Sequence, residues 1–236
     1  MQLDPPTALA LRLPRYGNGN PERVENAFWD YMIRARRTAH WAERHFQFKI
    51  KKDWAAQRPL AALSSWRERH DGPTWCFTRS GRTVIQLLDG RIVYIGGSHE
   101  DFYDSDFCIY NDVVVESTSG EIDVYSYPSH VFPPTDFHTA TLVGQDIYLI
   151  GSAGYKEQRE FGETPVYVLD TLNFGIRKMH TSGAPPGWIY RHAADYDRQA
   201  HCIRIAGGSI QCDEATTIEN AAAYTLDLNT GVWQMR

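Results

Sequence analysis

Three short stretches of this chain repeat one phrase, and that repetition limits its fold more than any other feature. Asp89-Gly90-Arg91-Ile92-Val93-Tyr94-Ile95-Gly96-Gly97 reads as a turn, a β-strand and a glycine pair where the strand must stop. The phrase returns at Gln145-Asp146-Ile147-Tyr148-Leu149-Ile150-Gly151-Ser152 and at Ala200-His201-Cys202-Ile203-Arg204-Ile205-Ala206-Gly207-Gly208. Gly96 and Gly151 stand 55 residues apart, and Gly151 and Gly207 stand 56 apart. A fixed period of about 50 residues marks a repeat array, in which each unit buries its apolar face against the next.

Taking the period as a guide, three repeats are expected at about 75–127, 128–182 and 183–236, each with four strands. The first has Thr83 to Leu87, Arg91 to Ile95, Ile109 to Glu116 and Glu121 to Tyr125. The second has His138 to Val143, Asp146 to Ile150, Pro165 to Asp170 and Ile176 to His180. The third has His192 to Tyr196, Cys202 to Ala206, Ala222 to Asp227 and Val232 to Met235.

The first 72 residues read differently and are expected to form a helical cap segment, ending at Asp71-Gly72-Pro73. Asn20 and Pro21 suit a helix start, and apolar residues follow at Val24, Ala27, Phe28, Tyr31, Met32, Ala35, Ala39, Ala42 and Phe46. One amphipathic helix from Pro21 to Phe46 is predicted, then a short strand near Phe46 to Lys51 and helices near Asp53 to Gln57 and Leu60 to Arg69. Trp29, Trp41, Trp54 and Trp66 are expected to be packing groups. This segment carries 13 Lys/Arg against 8 Asp/Glu, whereas the rest carries 11 against 21.

The repeats resemble the kelch repeat. The second offers His138-Thr139-Ala140-Thr141, Gly151 and Tyr167-Val168-Leu169-Asp170. The third offers Arg191-His192-Ala193-Ala194, Gly207-Gly208, Tyr224-Thr225-Leu226-Asp227 and Asn229-Thr230-Gly231-Val232-Trp233. The second repeat has Gly151-Ser152 in place of the glycine pair, and the first lacks both the histidine and the Tyr-x-x-Asp strand. The resemblance implies a mainly β fold of four-stranded blades of a β-propeller, with an α-helical N-terminal segment. It also implies a protein-binding module using the loops at one end. Three blades cannot close a ring, so the propeller is expected to be incomplete or completed by a homodimer. The helix covering the open face is the favoured closure. The others are a six-bladed ring shared by two chains and a degenerate blade from Thr7 to Leu13 and Phe46 to Ile50.

No complete catalytic motif is found: there is no G-x-S-x-G elbow, Walker loop or G-x-G-x-x-G. The expected partner-binding loop is His99, Glu100, Asp101, Asp104 and Asp106, whose carboxylates suit a basic protein partner, or by another reading a calcium ion. His99, Asp136, His138 and His192 form the alternative, a site for a divalent metal such as zinc or iron in a metal-binding protein or metal-dependent enzyme. Against that reading, His138 and His192 satisfy backbone groups within their own blades. A third alternative is a structural subunit of a larger assembly. Otherwise no cofactor is expected.

Composition supports a folded chain, 42% hydrophobic and 13% aromatic. A net charge of −5 argues against nucleic acid. Cys76, Cys108, Cys202 and Cys212 show no metal or redox spacing and read as reduced thiols. Without a basic leader or an apolar run of 18 residues, no membrane span is expected, and the chain is expected to be soluble and cytoplasmic.

Overall fold

The computed structural model describes residues 3–49, 72–99 and 107–236. Over these residues the chain is mainly β, with several antiparallel sheets and three short helices. The first large sheet holds Thr83–Gln86, Ile92–Ile95, Val113–Glu116 and Ile122–Ser126, each pairing antiparallel with the one before it. The second holds Thr139–Val143, Asp146–Ile150, Val166–Asp170 and Ile176–Lys178 in the same order. The third holds Ala193–Asp197, Cys202–Ala206, Ala223–Asp227 and Val232–Met235, again in that order. Each of these three sheets thus contains four antiparallel strands that follow one another in chain order.

Side-chain alternation then decides what each face touches. Val93, Ile95, Val113 and Val115 of the first sheet share a buried cluster with Ile147, Leu149, Leu169 and Ile176 of the second. On the opposite face of the second sheet, Tyr148, Ile150, Val166 and Val168 pack with Ile203, Ile205, Leu226 and Trp233 of the third. Burial on both faces explains why Ile147 to Ile150 and Val166 to Leu169 are continuous apolar runs. Complete burial of each such side chain contributes about 1.5–3 kcal/mol, so these two interfaces hold the stack together.

The N-terminal segment departs from the single predicted helix. Its helices are Pro5–Leu11 (α1), Ala27–Ala35 (α2) and Ala39–His45 (α3). Asn20 is not a cap: its side chain donates to Ile176 O at 2.7 Å and accepts from Ile176 N–H at 2.9 Å. Glu22–Arg23 pairs instead with Tyr125 and Ser126 as the outer strand of the first sheet. Asn26 caps α2, accepting from the Phe28 and Trp29 N–H groups at 2.9 and 3.0 Å. The helix stops at Arg36, whose φ of 53° is left-handed, and Thr38 caps α3 by accepting from Trp41 N–H. One hydrophobic stripe is thus carried by two helices because a second capping residue lies inside it.

Phe28, Trp29, Met32, Ile33, Ala42 and Phe46 form one cluster with Trp75, Phe77, Val114 and Val124, so α2 and α3 share a core with the first sheet. The Trp29 and Trp75 rings stack 4.9 Å apart with their planes 9° apart. A degenerate blade does not form at Thr7 to Leu13, which begins in α1, and residues 46–49 make no strand. The helices expected at 53–57 and 60–69, with Trp54 and Trp66, lie outside the described residues.

Three further departures occur at the sheet ends. Ile109 to Glu116 is not one strand: Cys108–Ile109 turns away to pair with Ser98–His99. Asp112 sits at this kink because its carboxylate accepts from Arg79 Nη2 at 2.9 Å and Trp75 Nε1 at 2.8 Å. Trp188–Tyr190, Ser209–Gln211 and Thr217–Glu219 form a small additional sheet. Ser182–Gly183 adds a parallel strand beside Val232 and Trp233.

Candidate functional site

The three large sheets are fastened together at one end by a ladder that recurs in phase. The residue or two before each first strand, Gly81, Phe137 and Arg191, has a positive φ of 63°, 52° and 57°. Phe137 N–H donates to Gly81 O at 2.7 Å, and Arg191 N–H donates to Phe137 O at 2.8 Å. His138 Nε2 then lies 2.8 Å from Thr83 Oγ1, and His192 Nε2 lies 2.9 Å from Thr139 Oγ1. These imidazoles reach across to a threonine of the preceding sheet, not to backbone within their own. Burial pushes their pKa values down, to about 3 for His138, where His192 adds to the effect, and to about 4 for His192.

Two of the glycines that ended the repeated strands, Gly96 and Gly151, have their reason here, whereas Gly207 has open space around it and answers to its positive φ of 65°. A Cβ on Gly96 would collide with Thr135 O, and one on Gly151 with Ile189 O. Backbone of the connector at Thr135 passes directly over the first position and that of Trp188–Tyr190 over the second, where Gly97 N–H donates to Thr135 O at 2.8 Å and Ser152 N–H to Ile189 O at 3.0 Å.

Around this ladder lies a cleft of about 610 Å³, walled by Ser98, Phe107, Asp136, Phe137, Arg159 and Arg191 among others. That volume is in the range of small-ligand sites. Asp136 is buried, and its Oδ1 accepts from Gly154 N–H at 2.9 Å. Burial raises its pKa above the ordinary carboxylate value, while the Gly154 N–H, the Ser98 hydroxyl and the nearby Arg159 and Arg191 charges pull it back. Arg159 is anchored, donating to Ala153 O at 2.9 Å, Gly154 O at 3.2 Å and Gln211 Oε1 at 3.2 Å. Arg191 is exposed, with its guanidinium carbon 4.4 Å from the Phe137 ring centroid and 6.0 Å from that of Tyr190. A smaller cavity of about 180 Å³ lies between the Pro133-Pro134 connector, Thr164, Tyr167 and Trp188.

Of the predicted partner loop, Glu100, Asp101, Asp104 and Asp106 lie outside the described residues. His99 is buried, in a short strand opposite Cys108, not in an open loop. Of the predicted metal set, Asp136 lines the cleft, whereas His138 and His192 each engage a threonine through Nε2. Among the described residues no group of three or more His, Cys, Asp or Glu side chains is arranged to hold a metal ion. Sequence reasoning missed Phe107, Phe137, Arg159 and Arg191 as cleft residues. The signal for Arg191 was its place in the repeat, equivalent to Gly81 and Phe137. Among the described residues no helix is long and apolar enough to cross a membrane.

No protein-family model matches this sequence, and no curated protein matches it.

Proposed function

We propose that this chain is a protein-binding module built on three kelch-like blades, with no catalysis of its own, and that it meets its partner at the loop end around the Asp136 cleft. The observation that carries this reading is the in-phase ladder through Gly81, Phe137 and Arg191, which sets loops from three sheets in one frame around a concave surface. Binding surfaces are favoured where a rigid scaffold positions loops in this way. The acidic sequence run from 100 to 106 suits a basic partner.

The test is crosslinking capture from the source cell with the wild-type chain, Phe137→Ala and the triple variant Asp101→Asn, Asp104→Asn, Asp106→Asn. Proteins lost with Phe137→Ala, and held less strongly and with less salt dependence by the triple variant, support this surface. A captured set that is the same for all three chains moves the interface elsewhere.

A further inference from the structure

The walls of the cleft differ in a way that points to a ligand smaller than a protein. We infer that the cleft is a binding site for a small organic monocarboxylate with an apolar, ring-sized body, a role separate from partner binding. Arg191 carries the argument. Among the described residues its guanidinium makes no hydrogen bond or ion pair, and its contacts are the faces of Phe137 and Tyr190. Its backbone is fixed by the bond to Phe137 O at 2.8 Å and by a left-handed φ of 57°. The guanidinium carbon sits over the Phe137 ring, and its N–H groups, which have no protein acceptor among the described residues, can receive a carboxylate through two parallel hydrogen bonds.

The remaining walls fix the rest of the ligand. Phe107, Ile109 and Phe137 supply apolar surface beside the guanidinium, and Ser80 and Ser98 supply hydroxyls. Arg159 adds a second positive charge, held in place by three protein acceptors. Asp136 sets the upper limit on ligand charge. Among the described residues that line the cleft, one carboxylate stands with two guanidinium groups, so a single negative charge completes their balance and a dianion such as phosphate exceeds it. A cation would meet Asp136 only at the cost of repulsion from both arginines.

The experiment is isothermal titration of the full chain with 3-phenylpropionate, 3-phenylpropan-1-ol, 3-phenylpropylamine and inorganic phosphate. Saturable one-to-one binding of 3-phenylpropionate is expected, with the alcohol at least tenfold weaker. Arg191→Met, which keeps the apolar stem at an exposed position, is expected to weaken 3-phenylpropionate about tenfold, and Arg191→Lys to restore only part of that loss. Should Arg191→Met lower the thermal midpoint, Phe137→Leu serves as the second variant and is also expected to weaken binding. Tighter binding of the amine, binding of phosphate that displaces 3-phenylpropionate, equal affinity for acid and alcohol, or no binding at 10 mM (~2.7 kcal/mol of binding free energy) would each overturn the assignment. None of these outcomes depends on whether a protein partner is found.

Discussion

The outer face of the first sheet carries Tyr94, Val114 and Val124 and lies beneath α2 and α3, whereas the outer face of the third sheet carries exposed Ala193, Asp195, Arg204, Ala206, Ala223 and Gln234, with Cys202 and Thr225 buried among them. Both are terminal faces of one stack, and both avoid presenting apolar surface to water by different means. At the first sheet the face is apolar and the chain supplies helices to cover it. At the third sheet the side chains themselves are small or charged, as in the terminal repeats of other stacked proteins. The second sheet, apolar on both faces, shows what a sheet with two neighbours requires. This difference favours an open, capped stack over a six-bladed ring, because the polar face of the third sheet offers little for another blade to bury.

The comparison breaks most severely at the covered face. Trp29→Ala removes the ring stacked on Trp75 and is expected to cost about 3–5 kcal/mol in urea unfolding. A loss below about 1 kcal/mol would mean that the helices do not depend on this sheet. Next is the inner face of the third sheet, where Ile205→Ala is expected to cost about 2–5 kcal/mol because the residue is buried against the second sheet.

Smaller and dependent on pH is the contribution of the two ladder histidines. Their folded pKa values, about 3 and about 4, lie below the unfolded value near 6.5, so the unfolded chain binds more protons in between. Stability is therefore full above about pH 6.5 and falls as pH drops toward 4. Each imidazole removes up to about 1.4 kcal/mol per pH unit. His192→Gln, which retains a hydrogen-bonding group near Thr139, is expected to flatten the acid side of a thermal-midpoint profile, and an unchanged profile would remove the histidine from the ladder's energetics. The smallest effect belongs to the exposed face, where Arg204→Ala gives up only its pairing with Asp197 and should change stability by about 0.5 kcal/mol or less.

The strands were legible because two signals agreed, the period between Gly96, Gly151 and Gly207 and the alternating or continuous apolar runs before them. Gly96 and Gly151 are informative for a reason that only the packed sheets reveal, namely the crossing backbone at Thr135 and Ile189. The break in the helical segment was hidden because Asn20 and Asn26 are equally good caps in isolation. Tertiary bonds to Ile176 take Asn20 away from that role. The departure of Ile109 from the strand expected at Ile109 to Glu116 turns on the buried Arg79–Asp112 pair, between residues 33 apart in the chain. The cleft was the least legible part. Asp136 was singled out, but Phe107 and Arg159 come from separate loops that carry no shared motif, and Arg191 was marked only by its place in the repeat.

The measurement that bears most directly on the open, capped stack is native mass spectrometry of the 236-residue chain across micromolar concentrations. A single species of 27.0 kDa is expected, unchanged by Arg204→Ala on the exposed face of the third sheet. A stable species of twice that mass, lost when Ala206 on the same face is replaced by Asp, would contradict it and return the molecule to a ring shared by two chains.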